Sequence, residues 1–473
     1  MSAPPEPWWI DAAEALTLVI LVSAALQNLL HTIQLFIAAG ALRARPPVVD
    51  PALLQRRYGR IAPRISVIAP AFNEERTILA SARSMLALDY PSFDVIIVND
   101  GSTDSTLAIL RAEFELMPIR ESLEIHLPHK PVQAIYRSAS HPRLLVIDKL
   151  NGGKADAQNA GVCLSRSTHF CIVDGDTILE PSALIRAAVP FLEDPDRMVA
   201  VGGTLRVANG VDIKDAAVSR IQVSDRFLPR VQIVEYLRSF LMGRLAWSRI
   251  NALMIISGAF GVFRRDVVME IGGYTTGSLG EDLDIVVRLH RHLIETKREY
   301  RVGFVPEPAC WTEVPQSLRV LARQRARWQN GALECFFGNR KMALNPAYGR
   351  VGVLGFGHML IVDLLGPLIE VLGYFVLPLF WLAGALSVEH LIAYTFLVFG
   401  FGTFTSLASL LLAEYQLRPY AGPSDLFKLG SAALLENFGY RQLHNFWRLW
   451  GWWQYLTGQH SWGEMPRQGF PST

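Results

Sequence analysis

Cysteine is scarce, with four residues in 473 (Cys163, Cys171, Cys310 and Cys335) and no CxxC spacing among them. That excludes a secreted disulfide framework and leaves no sulfur set for zinc, so the four read as reduced packing residues. Net charge is nearly absent too: Lys+Arg 45 against Asp+Glu 43 gives +2, which removes any global electrostatic case for a nucleic-acid partner. There is no internal repeat and no low-complexity tract. Charged residues amount to 19% and hydrophobic ones to 51%. That is apolar for a soluble enzyme and polar for a transporter, so a soluble catalytic domain joined to a few membrane spans fits best.

The run Ala15–Leu42 contains no Asp, Glu, Lys or Arg. It exceeds the roughly 20 residues that cross a bilayer, so it can span with tilt. A cleaved signal peptide is excluded by the acidic flank before it (Glu6, Asp11, Glu14) and by its length. After it come Arg43, Arg45, Arg56, Arg57, Arg60 and Arg64, which place the N-terminus outside and the following chain in the cytoplasm. Trp8 and Trp9 suit an interfacial anchor. Val371–Val388 and Leu391–Ala413, separated by Glu389 and His390, read as a helical hairpin that returns the chain to the side of Arg418, Lys428, Arg441 and Arg448. Three spans are therefore expected. Arg220–Ile256, which carries Arg226, Arg230, Arg238, Arg244 and Arg249 among apolar residues, reads as an amphipathic helix or pair on the inner leaflet, or as a soluble helix packed on the sheet. Tyr440–Trp462, with five tryptophans beside Arg441 and Arg448, reads as an interfacial belt. Asp363 and Glu370 share one helical face, and either line a polar path or sit in the headgroup layer.

Between Ile65 and Pro195, short Val/Ile/Leu-rich runs alternate with helical patterns: Ile65–Phe72, Asp94–Asp100, Leu144–Lys149 and His169–Asp176. This predicts an α/β fold with a parallel sheet covered on both faces, whose ligands bind at the strand carboxyl ends. The chemically suggestive residues cluster there. Ala71, Asn73 and Glu74 close the first strand, and Asp100 closes the second. Lys149 and the Asn151-Gly152-Gly153-Lys154 turn follow the third, a setting for an anionic diphosphate or a base. Asp174-Gly175-Asp176 follows the fourth, where two carboxylates can share a hard divalent cation and the glycine lets backbone approach the ligand. Asp104 needs no role beyond helix capping. Glu281-Asp282 opens a helical pattern; a carboxylate there can take a proton from a sugar hydroxyl, or simply complement the helix dipole. Gln324 and Arg327 lie one turn apart, and Trp328 beside them offers a flat face for a sugar ring.

The strand-end aspartate, Asp174-Gly175-Asp176, Gly280-Glu281-Asp282 and Gln324-Arg325-Ala326-Arg327-Trp328 occur in one order. In this, residues 64–328 resemble the processive family 2 glycosyltransferases: hyaluronan, chitin, cellulose and poly-N-acetylglucosamine synthases. The resemblance implies a GT-A-type (Rossmann-like) cytoplasmic catalytic domain over 65–335. It follows a spanning helix and basic linker (1–64) and precedes an interfacial segment with two spans (336–415) and an amphipathic tail (416–473). It implies a UDP-sugar donor, Mg2+ or Mn2+ held by Asp174 and Asp176, and an inverting, β-forming transfer. Asp282 would be the general base with Glu281 beside the acceptor, and Asp100 would contact the uridine. Ala71, Asn73, Glu74, Lys149, Lys154, Asp174, Gln324 and Arg327 would hold the donor, while Ser257, Gly258 and Trp328 would hold the growing polysaccharide. The setting implied is the bacterial inner membrane, with room for an accessory membrane or export subunit. UDP-N-acetylglucosamine or UDP-glucose is favoured by resemblance.

Three features depart from that family. Gly280 stands where threonine is usual in the cellulose and poly-N-acetylglucosamine branches, no PilZ-like domain follows the last span, and a single N-terminal span is present. The rival readings are transfer of one sugar to a lipid carrier and an inactive scaffold or receptor subunit. The Gln-x-x-Arg-Trp pentad argues against the first, and the intact carboxylates argue against the second.

Overall fold

The computed structural model describes residues 8–44, 50–123, 127–214, 217–417, 420 and 422–459. Glu6, Arg45, Arg418 and Trp462, which belong to the expected membrane-flank pattern, lie outside them. The chain runs α1 (Trp8–Arg43), α2 (Pro51–Tyr58), β1 (Ile65–Ala71), α3 (Ile78–Leu86), β2 (Phe93–Asp100), α4 (Thr106–Glu113), β3 (Leu116–Ile119) and β4 (Val132–Ser138). It continues through β5 (Leu144–Lys149), α5 (Lys154–Leu164), β6 (His169–Ile172), β7 (Ile178–Leu179), α6 (Ala183–Glu193), β8 (Met198–Val207), β9 (Asp212–Lys214) and β10 (Ala217–Arg220). Then come α7 (Phe227–Tyr236), α8 (Leu245–Arg249), β11 (Gly261–Arg264), α9 (Arg265–Glu270), α10 (Glu281–Glu295), β12 (Arg301–Thr312) and α11 (Leu318–Gly338). The last helices are α12 (Gly366–Leu382), α13 (Val388–Thr395), α14 (Phe401–Leu417), α15 (Pro423–Leu435) and α16 (Tyr440–Leu456).

Ten strands form one sheet in the order β3-β4-β5-β2-β1-β6-β11-β8-β12-β7. Its centre, β5-β2-β1-β6, is parallel. These strands are continuous apolar runs because both faces are covered: every residue of β2 is buried. β11 enters antiparallel between β6 and β8. The register pairs Asp100 with Lys149 and Ile68 with Ile172, so the second, third and fourth expected strand ends lie along one edge. All four cysteines are buried and free, as the composition indicates.

Among the described residues, three helices are long and apolar enough to cross a membrane: Trp9–Arg43, Val351–Leu382 and Val388–Tyr415. The number agrees with expectation, but the second starts twenty residues before the expected Val371. Two π-helical stretches, Val351–Phe356 and Met359–Leu365, carry the helix from Arg350 into α12. Gly352, Gly355, Gly357, His358 and Asp363 interrupt its hydropathy and hide it in the sequence. The break between the later spans is Ala383–Ser387, while Glu389 falls in the first turn of α13.

The arginine-rich stretch 220–256 is neither a simple leaflet helix nor a simple sheet-packing one. Through α7, a π-helical stretch (Leu237–Arg244) and α8 it is wedged between β8 and β12 on one side and α1, α14 and α15 on the other. Arg238 accordingly pairs with Glu436 at 2.6 Å, and Arg249 donates to the Ala41 carbonyl at 3.1 Å. Glu370 is 8% exposed and accepts from Arg441 (3.0 Å), Asn445 (2.8 Å) and Tyr374 (3.2 Å). Its carboxylate fastens α16 to α12, which corrects both expected roles for this residue.

Candidate active site

The carboxyl ends of the parallel strands carry the site, and Lys154 is at its centre. As the first residue of α5 it follows Gly153, whose φ of 88° needs no Cβ. Its Nζ lies 2.7 Å from Asp174 Oδ1 and 2.9 Å from Glu281 Oε1. A Cβ built on Gly258 would sit 2.5 Å from the same nitrogen. Side chains from α5, the loop after β6 and α10 thus meet beside the loop before β11. Burial opposes the ammonium's charge, yet Asp174, Glu281 and Asp282 outweigh it and hold the Lys154 pKa above the ordinary lysine value.

Asp282 stands in the first turn of α10, where its Oδ1 accepts from the Leu283 amide at 2.9 Å. Burial is the main reason its carboxyl is pushed up to about 6 from 3.8; the charge of Glu281 adds to the rise, while Lys154 and Arg244 oppose it. Glu281, expected at the acceptor, is 5% exposed and committed to Lys154. Arg244 was not singled out from the sequence. Its guanidinium lies 3.8 Å from the centre of the Phe240 ring, and its Nε and Nη1 are buried without a hydrogen-bond partner. Burial pushes it down to about 10, with Asp282 opposing. The available signal was its place among the six arginines of residues 220–256, which spacing alone did not resolve.

Several expected donor contacts are corrected by geometry. Lys149 has 0% exposure and meets Asp100 at 2.5 Å, Asp156 at 2.6 Å and the Leu150 carbonyl at 2.6 Å. Its three protons are spent inside the protein. Asp100, 2% exposed, also accepts from the amides of Gly152 (3.0 Å) and Gly153 (2.8 Å). These two residues therefore position the glycine turn that launches Lys154, a supporting task rather than direct contact. Gly175 turns toward β1, not toward a ligand: a Cβ there would be 2.7 Å from the Pro70 carbonyl oxygen. Ala71 is buried beside it and offers only backbone.

Asn73 adopts φ 56°, and its Oδ1 accepts from the Thr103 amide at 2.8 Å while its own amide donates to Ser102. Asparagine tolerates this left-handed backbone because its short side chain bonds locally. The Glu74 side chain accepts from Thr77 at 2.7 Å, at the start of α3. Asp104 accepts from Thr106 N at 2.9 Å, the capping role expected.

Helix α11 brings the remaining residues. Trp328 is 43% exposed with Arg325 over its ring at 4.3 Å, and Arg325, itself 2% exposed, pairs with Glu235 at 2.9 Å. Gln324 Oε1 is buried without a partner, and Arg327 is half-buried one turn on. Gly331 touches the start of α10: a Cβ there would be 2.8 Å from Gly280 N. This contact explains the glycine at 280, where a threonine side chain would meet the Gly331 backbone. Ser257 is half-buried and accepts weakly from the Ala259 amide at 3.5 Å, shaping the turn around Gly258.

Asp174 and Asp176 lie in the segment between β6 and β7, Asp174 partly exposed and Asp176 3% exposed. Among the described residues no group of three or more metal-ligating side chains is present. Two carboxylates fit a hard cation whose other ligands come from diphosphate and water.

Residues 63–331 match the glycosyltransferase-like family 2 profile, and the chain belongs to that family. It is a glycosyltransferase of GT-A-type α/β fold. It is 25% identical over 341 residues to the poly-β-1,6-N-acetyl-D-glucosamine synthase of Staphylococcus epidermidis, covering 72% of this chain and 71% of that one. The synthase of the same name from Staphylococcus aureus strain COL is 28% identical over 291 residues, 60% of this chain and 59% of that one. Among solved structures, a mannosyltransferase from Pyrobaculum calidifontis in complex with GDP-Man and Mn2+ aligns over 95% of this chain and 99% of its own, with TM-score 0.54 and 18% identity.

Proposed function

We propose that this protein extends a β-linked polysaccharide from a UDP-sugar, UDP-N-acetylglucosamine before UDP-glucose, at the cytoplasmic face of a bacterial plasma membrane. The observation that carries the reading is the convergence of Asp174, Lys154 and Glu281 on one point beside Asp282. Similarity to the staphylococcal synthases supports the donor, and the arginine flank after α1 supports the orientation.

In this scheme the acceptor hydroxyl attacks the anomeric carbon of the donor. The bond from that carbon to the β-phosphate oxygen breaks, and its electron pair leaves with UDP. Asp282 takes the hydroxyl proton, for which a carboxyl of pKa near 6 is suited. Lys154, Arg327 and Gln324 orient the diphosphate, and Trp328 presents its exposed face to the acceptor ring. Asp174 and Asp176 would hold Mg2+ or Mn2+, which supplies positive charge to the departing diphosphate.

Purified protein incubated with single UDP-sugars should release UDP and form a high-mass product, and D282N should do neither. UDP release with only a lipid-linked monosaccharide would establish the non-processive reading instead. No release with any donor would leave a scaffold.

A further inference from the structure

Lys154 Nζ sits between Asp174 and Glu281 at ion-pair distance to both. The carboxylate it holds most closely is the one a divalent cation needs. A cation at about 2.1 Å from the same oxygen would place two positive centres within a few ångströms of each other. The lysine is backed by protein on two sides: a Cβ on Gly258 would lie 2.5 Å from its ammonium, and its partner Glu281 is 5% exposed. The open direction is toward the exposed side of Asp174, where a diphosphate would lie.

Building on the proposed function, we infer that Lys154 is a stand-in for the metal: it occupies the cation's electrostatic place on Asp174 in the donor-free enzyme, and a divalent cation binds well only together with a nucleoside diphosphate, whose oxygens draw the lysine away. The same exchange run backwards helps release products, because Lys154 returns to Asp174 as UDP and metal depart. Glu281 anchors the lysine so that it swings rather than leaves, which gives that buried carboxylate a task distinct from the base beside it.

The test is Mn2+ binding by the full-length protein, followed through the electron paramagnetic resonance signal of free Mn2+, with and without UDP. Wild type should bind Mn2+ alone weakly and about tenfold or more tightly with UDP, a coupling of ordinary size. K154Q should bind Mn2+ alone about tenfold more tightly than wild type and lose most of the UDP dependence, while K154R should behave as wild type. G258A, which crowds the ammonium without removing it, should shift Mn2+ affinity in the same direction as K154Q. Thermal melts of each variant establish that it is folded. Unchanged or weaker Mn2+ binding by folded K154Q in the absence of UDP overturns the inference. If no variant and no wild-type protein binds Mn2+ even with UDP, the proposed function fails and the inference with it.

Discussion

Acidifying the assay probes Asp282 through the one step that depends on its proton. Its carboxyl titrates near 6 instead of 3.8, chiefly because it is buried and secondarily because Glu281 is adjacent. Only the ionised form can accept a proton. At pH 5 a group of pKa about 6 is roughly one-tenth ionised, whereas one at 3.8 is still more than about nine-tenths ionised. Initial-rate kcat/KM for UDP release should therefore fall about tenfold between pH 7.5 and pH 5. R244Q removes a positive charge that favours the ionised form, so its acid limb should move to higher pH. The linked stability effect has a defined sign. Between pH 3.8 and about 6 the folded protein binds more protons at this site than the unfolded chain, so the site's contribution weakens as pH rises and is least favourable above 6. D282N should thus melt at a higher temperature than wild type at pH 7.5, with the gain shrinking toward pH 4, while releasing no UDP. A kcat/KM profile flat down to pH 5, or an R244Q profile that coincides with wild type, would refute the reasoning.

Lys149→Met should leave Asp100 and Asp156 buried without their shared counter-charge, lowering stability by about 3–5 kcal/mol in chemical melts and abolishing UDP binding as the 151–153 turn loosens. Gly331→Ala brings a methyl within 2.8 Å of Gly280 N and should cost about 1–3 kcal/mol; kcat should fall with it because the start of α10 carries Asp282. Arg441→Met strands Glu370 and should lower the midpoint of heat-induced loss of the monodisperse gel-filtration peak, at about 3–5 kcal/mol; the R441M/E370M double variant should be milder.

The sheet and its chemical edge were readable because strand periodicity puts each suspicious residue at a strand end, and strand ends of a parallel sheet lie together. Asp100, Asp174 and the lysine after the glycine pair needed only that rule. What the rule misses is depth. Lys149 and Lys154 are the same residue type five positions apart on either side of one turn, yet one has no exposure and the other reaches Asp174. Their difference comes from Asp156, a helix residue whose inward direction is set by α5 packing on β1 and β2. Arg325 was likewise opaque. Within Gln-x-x-Arg-Trp it is a spacer, but its partner Glu235 is 90 residues away and also accepts from Tyr440 on α16, 205 residues from Glu235. The start of the second span was hidden for a different reason: hydropathy averages over glycines and a histidine that the π-helical stretches accommodate without ending the helix.

These long-range contacts have a mechanical consequence for α11. Gly331 fixes it to the start of α10, Arg325 and Glu235 fix it to α7, and Arg448 donates to Gln329 at 2.7 Å from α16. Gly451 lets α16 approach so closely that a Cβ there would be 2.4 Å from the Ala326 carbonyl oxygen. Further along, Arg441 ties α16 to α12, and Trp452 donates to the Leu364 carbonyl at 3.2 Å. The outer face of α16 exposes Phe446, Trp450, Trp453 and Leu456, an apolar stripe that water disfavours and the membrane interface accepts. Set against lipid, that stripe would put α16 between the bilayer and, through Gln329, the residues that flank Trp328. In detergent that strips this interface, α11 loses part of its support while the sheet keeps its own core; acceptor handling should therefore weaken before donor binding does.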